Sequence, residues 1–156
     1  MKKFELTSET KINIFGKKLF RIKALISFAD VEAGETGGWV EKEGNVNQSG
    51  NAWVSGDAKV SGNAMVSGNA KVYGDAKVSG DAMVSGDADY TTIHGFGAQF
   101  RTTTFFRCKD KKVRVACGCF FGTIPEFREQ VKNTRKGKIA EEYLMIADLM
   151  EKHFEK

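Results

Sequence analysis

Apolar and polar positions repeat along this chain with a period of six. From Gly50 it reads GNAWVS, GDAKVS, GNAMVS, GNAKVY, GDAKVS, GDAMVS and GDADYT; two weaker copies precede these, GWVEKE from Gly38 and GNVNQS from Gly44. Within a hexad, Ala-x-Val alternates with period two, so Ala and Val share one side of a short strand and the middle residue points to the other. Gly followed by Asp or Asn is a turn pair, because Gly accepts unusual backbone angles and the Asx side chain bonds its own backbone. So short a strand, closed by a turn, cannot make a hairpin meander but can form one side of a prism. Nine hexads, Gly38 to Thr91, then predict three coils of 18 residues stacked through parallel strand bonds.

The pattern resembles the hexapeptide-repeat left-handed β-helix. That family places a small and a branched aliphatic residue inward, positions filled here by Ala52, Ala58, Ala64, Ala70, Ala76 and Ala82, and by Val54, Val60, Val66, Val72, Val78 and Val84. The handedness comes from the resemblance. An 18-residue coil stacks Asn47, Met65 and Met83 on one outer face, Glu41, Lys59 and Lys77 on a second, and Trp53, Lys71 and Asp89 on the third, flanked by Ser55, Tyr73 and Thr91. Exposed Met and aromatic ladders suggest a covered surface. Trp53, Met65, Lys71, Tyr73 and Met83 are therefore candidate interface residues, covered either by the chain's own ends or by another subunit. Left-handed β-helices often assemble as trimers through such faces, which implies a homo-oligomer.

The flanks follow other patterns. Ile12 and Ile14 share a side, as do Phe20, Ile22, Ala24 and Ile26 after the turn Gly16-Lys17-Lys18, so residues 1–37 read as a hairpin that caps the first coil and hides its edge. Residues 92–156 read as a hairpin followed by two helices. Its strands run Phe100 to Cys108 and Val113 to Phe121. A turn at Asp110-Lys111 puts Arg101, Thr103, Phe105 and Arg107 on one face with Arg114, Ala116, Gly118 and Phe120, and a one-residue slip would reverse one strand. Thr123-Ile124-Pro125-Glu126 is a capping box with an early Pro. Ile124, Phe127 and Val131, then Ile139, Tyr143, Ile146, Met150 and Phe154 after Gly137, make two amphipathic stripes.

Composition narrows the class. With 17 Gly, one Pro and 41% apolar residues, the chain fits neither collagen nor a disordered linker. No apolar run approaches the roughly 18 residues of a membrane span. Met1-Lys2-Lys3-Phe4 lacks the apolar stretch of a signal peptide, and three Cys with Cys117-Gly118-Cys119 fit reduced thiols, so a cytoplasmic protein is expected. The repeat carries 4 basic and 7 acidic residues, and residues 92–156 carry 13 and 8. A net charge of +4 is too modest for a general DNA binder.

The flanks carry a second resemblance. Leu19-Phe20-Arg21-Ile22-Lys23-Ala24-Leu25, Phe28-Ala29-Asp30-Val31 and Gly34-Glu35-Thr36-Gly37-Gly38-Trp39-Val40-Glu41 look like the opening of a group of small hexapeptide-repeat proteins common in bacteriophages and prophages. Thr103-Thr104-Phe105-Phe106, Cys117-Gly118-Cys119-Phe120, Gly122-Thr123 and Glu126-Phe127 look like that group's ending. The resemblance supplies no catalytic residues to carry over. It implies a phage-type accessory protein in the host cytoplasm.

Residues for four chemistries are present. Acyl transfer, known among left-handed β-helices, would use His94 as general base, but three coils without an inserted loop leave no acceptor pocket. Zinc on Cys108, Cys117, Cys119 and His94 has a weak Cys-x-Cys spacing. Corner residues Asp57, Asp75, Asp81 and Asp87 serve turns rather than calcium. Anion binding has the richest set: Arg101, Arg107 and Arg114 with Phe105 and Phe120, and Lys109, Lys111 and Lys112 at the hairpin tip. Arg meets phosphate at two points and an aromatic ring stacks a base. The sequence thus reads as a non-enzymatic binding protein with no catalytic residue, metal or cofactor. It would act in counter-defence, blocking a host protein or sequestering a nucleotide-type signal. An acyltransferase using His94 and a purely structural, oligomeric scaffold are the alternatives.

Overall fold

The computed structural model describes residues 2–86 and 89–155. Asp87 of the corner set lies outside them. Six two-residue strands carry the repeat: β4 (Trp53–Val54), β5 (Lys59–Val60), β6 (Met65–Val66), β7 (Lys71–Val72), β8 (Lys77–Val78) and β9 (Met83–Val84). They pair in parallel, β4 with β7, β5 with β8 and β6 with β9, always 18 residues apart. This is a β-solenoid with three walls. The Ala and Val at the predicted inner positions are all buried and form one continuous core. At the corners, Gly56, Gly62, Gly68 and Gly74 take φ values of 60–66°, the left-handed region that only Gly enters cheaply.

The first coil departs from the expected frame. Val40 pairs with Val60 and Val46 with Val66, 20 residues apart rather than 18. The two early hexads place their Val two residues after Gly, whereas the regular hexads place it four after, so the core tracks Val and not Gly. Trp39 therefore replaces Glu41 in the ladder with Lys59 and Lys77, and Asn47 falls out of line with Met65. Asp89 also leaves its expected ladder. It sits in a turn, accepting hydrogen bonds from the Ser85 N–H and hydroxyl.

Both ends of the solenoid are closed by the flanks. Strands β1 (Phe4–Ile12) and β2 (Lys18–Ala24) form an antiparallel hairpin, and β2 pairs with β3 (Thr36–Val40), which leads into β5 and β8. The other two first-coil edges are capped by side chains. The buried Lys3 ammonium donates to the Ala52 carbonyl at 2.6 Å, and the Asn45 amide donates to Ala64 at 2.8 Å and Gly62 at 3.2 Å. Lys3 stands where a preceding strand would have been, and Asn45 extends the single Val46–Val66 bridge.

At the far end lies an antiparallel sheet of β10 (Tyr90–Phe96), β11 (Arg101–Arg107), β12 (Val113–Cys117) and β13 (Phe120–Thr123). The predicted second strand is thus two, broken at Gly118, where φ is 58°, and β10 adds a strand the sequence reading left out. The sheet has two faces. Tyr90, Phe106, Cys108 and Ala116 join the solenoid core, while Phe105, Val115 and Cys117 join a second core with α1 (Ile124–Thr134) and α2 (Gly137–His153). Thr104 Oγ1 accepts from the Lys77 N–H at 3.0 Å, and the Lys109 N–H donates to Asp81 at 2.8 Å, so the sheet covers the last coil's open edge. Thr123 caps α1 reciprocally with Glu126, at 3.2 and 2.9 Å.

Candidate functional site

The β11–β12 register decides which candidate residues meet. Cys108 pairs with Lys112 and the turn occupies Lys109-Asp110-Lys111, with Lys111 at φ 69°. Phe105 then faces Val115 and Phe106 faces Arg114, one residue away from the expected pairing. The slip arises because a three-residue loop ending in a left-handed residue closes this hairpin, not a two-residue turn. It splits the expected anion site. Arg101, Phe105, Arg107 and Phe120 remain on the helix-facing side, and Arg114 moves to the solenoid-facing side.

Most of these residues have partners. Phe105 is fully buried, edge-on to Phe127. The Arg107 guanidinium bonds Asp89 at 3.2 Å and lies 5.5 Å from the Phe154 ring centroid. Burial pushes the Asp89 carboxyl up, but hydrogen bonds from Ser85 and Arg107 outweigh it and hold it below the usual carboxylate range. Arg114 bonds Asp110 at 2.9 Å. The Lys112 N–H and then Arg114 lower the Asp110 carboxyl. Lys109, Lys111 and Lys112 stand exposed at the hairpin tip.

Arg101 is different. It has no carboxylate partner among the described residues and bonds the Gln99 amide oxygen. Its guanidinium lies over Gly118, where any Cβ would collide with it. It lines a cavity of about 190 Å³ together with Phe120, Phe127, Gln130, Thr134, Arg135 and Tyr143, and with Cys117 and Cys119. Among the described residues the Arg135 side chain bonds only the Thr134 hydroxyl and carbonyl. Two guanidiniums without a carboxylate partner among the described residues thus border one pocket with aromatic walls. Tyr143 donates to the Phe96 carbonyl at 3.2 Å, and burial, then neighbouring Cys117, raise its phenol above the ordinary range, so it stays a proton donor. Arg101 and Phe120 are among the residues the sequence marks for anion binding; Gln130, Thr134, Arg135 and Tyr143 are not. Of these, Tyr143 stands in the second helix's apolar stripe, and no local spacing ties Gln130, Thr134 and Arg135 to Arg101.

The other candidates separate. His94 lies exposed on β10, its Nδ1 2.7 Å from Thr102 Oγ1. Cys108 and Cys117 sit on opposite faces of the hairpin, and no group of three metal-ligating side chains gathers among the described residues. Of the interface set, Trp53 takes the first of its two expected covers: it is 3% exposed, packed edge-on by Phe4 and Phe28 of the chain's own N-terminal segment. Lys71 bonds Asp30 at 2.7 Å. Met65 pairs with Met83 as expected and is half-buried, while Met83 and Tyr73 are 43% and 64% exposed. No described helix is long and apolar enough to cross a membrane.

No curated protein matches this chain. Residues 58–74, within the regular coils, match the family described as YdcK beta solenoid repeat, so the repeat is similar to that family's solenoid.

Proposed function

We propose that the protein is a non-enzymatic binding protein that holds a small phosphate-bearing ligand of nucleotide type in the Arg101–Arg135 pocket. The observation that carries this is the pair of guanidiniums without carboxylates on one aromatic-walled cavity. Guanidinium forks match phosphate oxygens at two points. Gln130, Thr134 and Tyr143 offer further polar groups, and the half-buried Phe120 ring offers a stacking surface. A cavity of about 190 Å³ suits the phosphate end of a nucleotide, with the base at the mouth.

Calorimetry with AMP, inorganic phosphate and adenosine tests the reading. AMP binds, adenosine binds at least about tenfold more weakly, and Arg101→Ala or Arg135→Ala each lose about tenfold or more while Arg114→Ala does not. AMP also slows alkylation of Cys119. Unchanged AMP affinity in both pocket variants overturns it.

Sequestration of a nucleotide signal by a phage-type counter-defence protein in the host cytoplasm is the biological form of this reading. Its support is the resemblance of both flanks to phage proteins. The repeat's own resemblance to hexapeptide-repeat left-handed β-helices supports a left-handed solenoid and a homo-oligomer, trimeric by preference, and its nine hexads support about three coils. One observation favours the protein-blocking and scaffold readings: the Met65–Met83 ladder and Tyr73 remain partly exposed on solenoid walls. If that ladder is a subunit surface, Met83→Lys lowers the mass seen by light scattering. Nothing about His94 favours acyl transfer.

A further inference from the structure

A second cavity, of about 410 Å³, runs along the outer wall formed by β5 and β8. Lys59 and Lys77, paired across the two strands, lie along it with Ser61 and Ser79. Ile12 at the end of β1, Ile14 and Phe15 of the β1–β2 turn, and Phe121 of β13 line it. These apolar side chains are 63%, 57%, 60% and 42% exposed.

The turn itself does not require them. Asn13 Oδ1 accepts from the N–H groups of Phe15 and Lys17, both at 2.9 Å, and Gly16 supplies the left-handed residue at φ 81°. Any polar residue would serve at positions 14 and 15, so large apolar side chains at an exposed turn mark a contact surface.

Charge gives the occupant its sign. Lys11, Lys59 and Lys77 line the groove, and none lies within 4.0 Å of a carboxylate among the described residues. The Lys59 ammonium donates only to the Asp57 carbonyl, at 3.3 Å. Lys11 lies 4.3 Å from the Trp39 ring centroid. Burial first, and then repulsion from Lys11 and Lys77, lower the Lys59 ammonium below the usual lysine range, against the weaker opposing pull of the Asp57 and Asp75 carboxylates. An anion placed among the three would relieve that repulsion.

We infer that this groove binds an amphipathic carboxylate, its alkyl or aryl part between the hairpin turn and Phe121 and its head group on Lys59 and Lys77. The volume lies within the range of small-molecule sites, and an apolar lining with a few convergent polar groups is their usual chemistry. A second copy of this chain is a poorer occupant, since its own matching face would bring the same positive charges.

Decanoate below its micelle concentration, followed by calorimetry, tests this, with decyltrimethylammonium as the cationic counterpart. Two double variants serve, K59E with K77E and I14S with F15S. All four positions point outward or lie in the exposed turn, and thermal melts by circular dichroism check their folding. Decanoate binds at one site, either double variant loses about tenfold or more in affinity, and the cation binds at least about tenfold more weakly. Three results overturn the inference: no binding of decanoate by the native chain, equal binding of the cation, or unchanged affinity in both folded variants. A dimer mass in light scattering that I14S with F15S converts to monomer also overturns it, since a second copy then occupies the groove. None of the four substituted residues lines the Arg101–Arg135 pocket, so AMP binding there is read separately from these outcomes.

Discussion

Lys3 shows what one residue can contribute unseen. It is 2% exposed, and its ammonium caps the Ala52 carbonyl and lies 4.7 Å from the Phe28 ring centroid. Burial lowers its pKa to about 8. Between that value and the ordinary lysine value of about 10.4, the unfolded chain holds a proton that the folded chain has released, so this group's contribution to stability rises with pH. Below pH 8 both states are protonated and the contribution is flat. Lys3→Met leaves the Ala52 carbonyl without its donor, at a cost of about 1–3 kcal/mol. In urea unfolding, the gap between the native chain and Lys3→Met therefore widens as pH goes from 8 to 10, and a gap that narrows contradicts this account. Nothing in Met1-Lys2-Lys3 announced the role, because the acceptor is 49 residues away. The thiols read more directly. Burial pushes the Cys108 thiol up to about 11, Cys117 is buried, and Cys119 is exposed. Iodoacetamide at pH 8 therefore labels Cys119 first, and mass spectrometry should find Cys108 and Cys117 labelled only after denaturation.

Elements were legible where their signals are local. The capping box at Thr123 and the stripes of α1 and α2 stand as read, because a helix declares its start and its buried face within a few residues. Thr123→Ala removes the acceptor for the Glu126 N–H and costs about 1 kcal/mol, visible as a lower melting temperature. Thr123→Ser keeps that acceptor and should restore most of the loss. The β11–β12 hairpin was less legible. Its alternation identifies two faces, yet its register depends on a loop where Lys111 takes a left-handed conformation at no glycine. One residue of slip moved Arg114 across the sheet and left Arg101 beside Arg135, which belongs to a different element. The candidate pocket was invisible for that reason. It forms where a strand, a helix end and a second helix meet, and no spacing along the chain encodes that meeting.

At the scale of the molecule, the repeat supplies a tube and the flanks supply its ends. A solenoid coil is stabilised by its neighbours, so the terminal coils need a substitute on their open sides. At the start that substitute is β2, Lys3 and Asn45. At the far end Phe106, fully buried, enters the solenoid core from β11 while its neighbour Phe105 enters the helical core. The two adjacent rings thus tie two cores to one strand. Phe106→Ala opens a cavity at the end of the tube and costs about 3–5 kcal/mol. Its effect should be local as well as global. The amides of Met65 and Ser67, bonded to the Ala82 and Val84 carbonyls of the last coil, lose protection in hydrogen exchange. The amides of Trp39 and Asn47, bonded to Ala58 and Val66 nearer the other end, keep theirs relative to global unfolding. Equal loss at both ends would mean that the solenoid opens only as a whole and that the sheet is not its end cap.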